Sequence, residues 1–114
     1  GPGGGPSHAP PAETGEQVYE QICQGCHMAD ARGDSQAGTI PALAANPRLK
    51  DRTYPIDVVV RGRGGMPPFA GMLSKEQVAA VINYVRTHFG NHYNDVVTMS
   101  DIGRRWVEPS PGEH

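Results

Sequence analysis

Cys23-Gln24-Gly25-Cys26-His27 is the stretch on which the reading of this chain turns. Two thiols three positions apart, followed at once by an imidazole, put three strong ligand groups within about one helical turn. A dithiol redox pair with this spacing is expected to follow a strand in a βαβ unit. The preceding residues, Glu13 to Gln24, read instead as a helix, with Thr14 as its cap and Val18, Tyr19 and Ile22 on a partly apolar face. Half of a zinc site would need two more ligands. With no further cysteine in the chain, these would have to come from His8, His88, His92, His114 or carboxylates, which form no second compact motif. A disulfide across two intervening residues closes too short a loop to contribute much.

The remaining assignment is covalent haem attachment. Cys23 and Cys26 would bond two vinyl-derived carbons of one haem, and His27 would stand beside the iron as its proximal ligand. The composition agrees with this. At 114 residues the chain has no internal repeat and is long enough for one small domain, whose thin core gains from a bound apolar group. The ends are poor core material: residues 1–11 and 108–114 are rich in Gly and Pro and read as flexible, leaving 12–107 as the folded body, C-terminal extension included.

The formal charge of −2 is unevenly spread. Glu13, Glu16, Glu20 and Asp30 fall in residues 1–30, which hold no Lys or Arg, while Arg32, Arg48, Lys50, Arg52, Arg61, Arg63 and Lys75 make the middle positive. That pattern suits steering toward an acidic partner, but it lacks the basic excess and interleaved aromatics of a nucleic-acid surface. No apolar run approaches the length of a membrane span, and no signal-peptide core is present. The expectation is a soluble domain from which any targeting segment has been removed.

Beyond the cysteine segment, residues 30–47 are punctuated by Gly33, Gly38, Pro41 and Pro47 and read as a loop with a helical turn near Ala42 to Ala45. Pro55 to Arg61 suits a short helix with Ile56, Val59 and Val60 inward, although Val58-Val59-Val60 alone would also suit a strand. Gly62, Gly64 and Gly65 end it, and Met66-Pro67-Pro68-Phe69 forms a stiff loop. The clearest helix is capped by Ser74, with Gln77 at capping-box spacing, a stripe of Val78, Val81, Ile82 and Val85, and Gly90 after its end. A last turn is expected from Ser100 through Ile102, Arg105 and Trp106, folding the tail back over the core.

The order of these parts, an attachment segment, a glycine-rich methionine loop and a closing amphipathic helix, resembles a class I cytochrome c over most of Ala12 to Gly90. The resemblance implies an all-α fold, a small helical domain wrapped around one covalent haem. It also implies a periplasmic setting, since thioether attachment in that family takes place outside the cytoplasm. Met66 is the leading sixth ligand, because flanking glycines and prolines can hold its thioether on the iron, and the resemblance points to the same residue. Met28, Met72, Met99, His88 and His92 are the alternatives, with Met72 expected to pack in the core. Pro41 resembles the proline whose carbonyl orients the iron-bound imidazole of His27. Leu43, Tyr54, Val59 and Phe69 are expected to line the pocket, together with Ile56 and Val60. Arg48, Arg61, Arg63, Asn46 and Tyr54 are candidates to meet the propionates. Gly15 and Tyr19 resemble the close crossing of the first helix over the last, with Tyr84 opposite.

The functional expectation is one-electron transfer by a soluble periplasmic carrier rather than an enzyme, with a periplasmic dehydrogenase and a downstream oxidase or reductase as partners. It would dock through the apolar face of residues 66–71, bordered by Arg61 and Arg63. The alternatives are a dedicated electron-accepting subunit or domain of such a dehydrogenase, and a haem sensor or enzyme with an open sixth position.

Overall fold

Thr14 is extended (φ −103°, ψ 159°), its Oγ1 accepts the Gln17 amide at 3.1 Å, and Gln17 Oε1 accepts the Thr14 amide at 3.1 Å. This capping box satisfies donors that a helix start leaves unpaired. It launches α1 (Gly15–Val18), which continues through a π-helical turn (Tyr19–Cys23) into α2 (Gln24–His27). The helix therefore runs past its expected end at Gln24, and the cysteine segment is its final turn. The computed structural model describes residues 14–27, 31–33, 42–63 and 66–108, without the side chains at 25 and 26. Pro41, Met28, His8 and His114 lie outside the described residues, as do Gly64 and Gly65.

A short 3₁₀ helix, Pro47–Lys50, follows the loop; Asn46 Oδ1 caps it by accepting the Arg48 amide at 2.9 Å. Next is α3 (Thr53–Arg61), two residues longer at its start than Pro55 suggested because Asp51 accepts both the amide and the hydroxyl of Thr53, at 2.9 and 2.8 Å. The valine run is helical, with Ile56 and Val60 buried and Val59 half-buried. In α4 (Lys75–Thr87) the Ser74 and Gln77 capping box forms as expected, and Val78, Val81, Ile82 and Val85 are all buried. Leu73 and Val78, the two residues placed to staple this helix start, are both in the core, whereas Met72 is 64% exposed and does not pack as expected. Finally α5 (Met99–Arg105) begins at a Thr98 and Asp101 capping box, not at Ser100. Among the described residues there is no strand, and the one β-type pairing is the bridge between Arg63 and Met66.

Helix α4 is the centre of the packing: α1 crosses it, and α3 and α5 lie against both it and each other. The α1 crossing is very close. A Cβ on Gly15 would stand 2.1 Å from the Ala80 carbonyl oxygen and 2.7 Å from Tyr84 Cβ. Rings fill the crossing beside it, with Tyr19 centred 5.0 Å from Phe89 and 6.0 Å from Tyr84.

Residues 91–107 join this core. Val97 and Ile102 are buried, and Asn83 brackets Val97 by accepting its amide and donating to its carbonyl, at 2.8 and 3.0 Å. Arg86, fully buried, donates from Nε to Leu49 O at 2.8 Å, from Nη2 to Lys50 O at 3.1 Å and to Asp95 Oδ1 at 2.8 Å, and from Nη1 to the Asp95 carbonyl. A buried guanidinium is tolerated because its donors are matched this fully. The Arg86 fork in turn holds the Asp95 carboxyl below the usual carboxylate range. No helix among the described residues is long and apolar enough to cross a membrane.

The crossing gives a pair of opposite predictions. Gly15→Ala inserts a methyl against a backbone oxygen and should destabilise by an amount at the upper end of roughly 1–3 kcal/mol. Gly103→Ala, in α5 with nothing within 4 Å of the added Cβ, should stabilise by about 0.5–1 kcal/mol. Denaturant midpoints of the two variants check both signs; a neutral Gly15→Ala would contradict the close crossing.

Candidate functional site

His27 ends α2 with its side chain buried, and Cys23, one turn earlier, is half-buried against the core. The backbone of Cys26 lies in the same turn. Gly33 donates its amide to the His27 carbonyl at 3.1 Å. Ala31, buried and left-handed at φ 61°, accepts the amides of Leu43 and Ala44 at 2.7 and 3.0 Å. Asn91 then fixes Leu43 from the other side. Its Nδ2 donates to Leu43 O at 2.8 Å and Val85 O at 2.9 Å, and its Oδ1 accepts the Asn46 amide at 2.9 Å. Cys23 and His27 thus share the end of α2, and Leu43 is bonded to Ala31, four residues beyond it.

A second group forms where α3 ends. Gly62, at φ 77°, donates its amide to Val58 O at 2.8 Å and approaches the methionine loop so closely that a Cβ would lie 2.7 Å from Met66 O and 2.8 Å from Pro68 N. Arg63 and Met66 exchange amide-to-carbonyl bonds at 2.9 Å each, and Phe69 donates its amide to Val59 O at 2.8 Å. Tyr54 sits on the same side of the molecule, its ring centre 5.8 Å from the Arg63 guanidinium and 6.0 Å from that of Arg48. Val59 is therefore bonded to Phe69, and both Met66 and the Tyr54 ring meet Arg63. Met66 is half-buried.

Other candidates are committed elsewhere. Asn46 uses its Oδ1 for the 3₁₀ cap and donates from Nδ2 to Ala42 O, at 2.9 Å each. His88 is exposed, its Nδ1 bonds Tyr84 O at 2.8 Å, and its ring stacks on Tyr84 at 4.2 Å. His92 is exposed and Met99 is 42% exposed.

The charge around the second group is mainly positive. Arg48, Arg61 and Arg63 are exposed and form no ion pair among the described residues. A groove of about 250 Å³ runs along Tyr54, Asp57, Val58, Arg61, Gly62 and Arg63, and a second of about 550 Å³ lies between Tyr54 and Pro47 to Asp51. The two carboxylates in these grooves are already engaged. Asp57 is held below its ordinary pKa chiefly by its bond from Arg105, and Asp51 chiefly by the Thr53 hydroxyl.

The donor chemistry fits haem better than a bare ion. Among the described residues no three His, Cys, Asp or Glu side chains cluster to hold a metal by themselves. A thiol and a buried imidazole share one helix end, a thioether lies in a backbone-pinned loop, and Ile22, Leu43, Tyr54, Val59 and Phe69 are half-buried apolar groups on the core. Cys23, Cys26 and His27 would hold such a group.

Sequence reading missed Arg86 and Asn91. Arg86 had a signal: it falls four residues after Ile82, on the apolar stripe, where a charge is buried only if its donors are met. Asn91 had none, since its partners come from two distant segments.

A family model described as Cytochrome C oxidase, cbb3-type, subunit III matches residues 10–85. The chain is 34% identical over 111 residues to the cytochrome c subunit of alcohol dehydrogenase (quinone) from Gluconobacter oxydans (strain 621H), covering 86% of this chain and 23% of that protein. It is 31% identical to the gluconate 2-dehydrogenase cytochrome c subunit of Pantoea cypripedii, again over 23% of that protein. Cytochrome c6 of Microcystis aeruginosa is 35% identical over 72 residues, 62% of this chain and 89% of the relative. The chain thus spans less than a quarter of the dehydrogenase subunits it resembles and most of the length of the small cytochrome.

Gly62 offers a test of the loop geometry. Gly62→Ala forces a side chain into a left-handed position against Met66 and Pro68, and should cost about 1–3 kcal/mol in a denaturant titration. An unchanged midpoint would contradict the close packing of the loop on α3.

Proposed function

This chain belongs to the cytochrome c family and carries a covalently bound haem c through which it passes electrons, and we propose that Cys23 and Cys26 would hold it by two thioethers and that His27 and Met66 would bind its iron. The observation that carries this reading is the burial of His27 at the end of the helix that also bears Cys23. The haem supplies a one-electron change at its iron. The chain's own part is to hold that group and shape its surroundings. α2 fixes the imidazole by helix geometry, and the Pro41 carbonyl is the acceptor we assign to its other ring nitrogen. The Arg63 and Met66 backbone pair holds the thioether's loop, so little ordering entropy is lost when sulfur binds. Leu43, Tyr54, Val59 and Phe69 would exclude water, and the exposed Arg48, Arg61 and Arg63 are candidates to meet the propionates.

With His27 and Met66 both holding the iron, the group would serve electron transfer and the protein would be a carrier rather than an enzyme. Its place is the periplasm, accepting electrons from a dehydrogenase and passing them to an oxidase or reductase. Residues 66–71 form the docking face, edged by Arg61 and Arg63, and brief encounters suit such a task. A second reading, a cytochrome domain of a larger dehydrogenase subunit, is favoured by the G. oxydans relative, which matches 86% of this chain with less than a quarter of its own length.

Absorption spectra of the matured protein test the ligand set. The oxidised protein should show the weak sulfur-to-iron band, Met66→Ala should lose it, and Met72→Ala should keep it. A band that survives Met66→Ala, or rapid and complete binding of carbon monoxide to the reduced protein, would contradict Met66 ligation.

A further inference from the structure

The match to the family model stops at residue 85, so α5 and the segment leading to it lie beyond the matched portion. The structure builds that segment into the domain and fastens it to α3. Arg105 Nε and Nη2 donate to Asp57 Oδ1 and Oδ2 at 2.7 and 2.8 Å, a two-bond fork between helices 48 residues apart in sequence. A weaker tie joins the helices at their other end, Arg52 Nε lying 3.8 Å from Asp101 Oδ2.

The position of Asp57 gives this fork its meaning. The two residues that follow it anchor both ends of the methionine loop: Val58 O accepts the Gly62 amide and Val59 O accepts the Phe69 amide, each at 2.8 Å. Between those anchors Arg63 and Met66 exchange backbone bonds, and Gly62 lies close against Met66 and Pro68, so Met66 is tied to the end of α3. A rotation of α3 at Asp57 would move both anchors together. We propose that α5 is a brace for the axial ligand, with Arg105, through Asp57, as a positioning residue that holds the Met66 loop in place. The proposal rests on Met66 being that ligand. A loosened loop raises the entropy that must be lost for the thioether to bind, so a competing ligand displaces it more easily.

Titration of the oxidised, haem-loaded protein with imidazole, which competes with the thioether for iron, reads this directly. Arg105→Gln should raise the apparent imidazole affinity by about threefold or more, within the range of couplings measured between contacting residues. Asp57→Asn should do the same, and the double variant should add nothing further. Arg104→Gln, whose partner Asp101 is on the same helix, should leave the affinity unchanged. Unchanged affinity in Arg105→Gln and Asp57→Asn, even with a lower thermal midpoint, would reduce the fork to a structural contact and overturn the brace. Additive effects in the double variant would overturn it too. Met66→Ala separates the two claims: it should raise imidazole affinity strongly and abolish the Arg105→Gln effect. If it changes neither the affinity nor the sulfur-to-iron band, the ligand assignment itself fails.

Discussion

At the crossing of α1 and α4 a Cβ on residue 15 would overlap the Ala80 carbonyl oxygen, so the two backbones meet at a distance that only glycine permits. That approach sets where the first helix lies on the core. Because α1, the π-helical turn and α2 form one continuous run, it also sets where Cys23 and His27 stand. Tyr19, at the start of the π-helical turn, is buried in the same crossing against Tyr84 and Phe89. The π turn widens the helix by one residue per turn, its closing bond running from the Gln24 amide to Tyr19 O. Chemistry at the helix end is thus placed by packing at its beginning.

The loops depend on a different device. Buried side chains bond directly to the backbone of the segments between helices. Arg86 ties α4 to the 3₁₀ helix and to the segment before α5, and Asn91 ties the end of α4 to the stretch holding Leu43. Removing either partner of such a set would strand several polar groups at once, a larger loss than any single bond is worth.

Much of this was legible because it is local. Ser74 with Gln77 marked the start of α4 and the apolar spacing marked its buried face, while the crossing at Gly15, Tyr19 and Tyr84 was implied by the family resemblance. Thr14 is the cap that the sequence indicates for the first helix, whereas Thr98 with Asp101 carries the same signal two residues before Ser100 and sets the true start of α5. Met72 was misjudged because its neighbour Leu73 takes the inward position at the helix start, leaving the methionine in solvent. Asn46 also caps the 3₁₀ helix, a role that its position just before Pro47 allows. The Arg105 and Asp57 fork could not have been read at all, since it depends on how two distant helices pack. Residues 23–27 named the cofactor chemistry, but the loop that presents Met66 is intelligible only with Gly62, Val58 and Val59 in place.

The account stands or falls on covalent attachment at one short segment. No lysine or arginine precedes Arg32, so trypsin should release Cys23 and Cys26 together in the peptide ending at that residue. Mass spectrometry of this peptide from protein matured in a host that attaches haem should show one haem added, with neither thiol open to alkylation. Recovery of the peptide without haem, with both cysteines alkylated or joined to each other, would contradict the account.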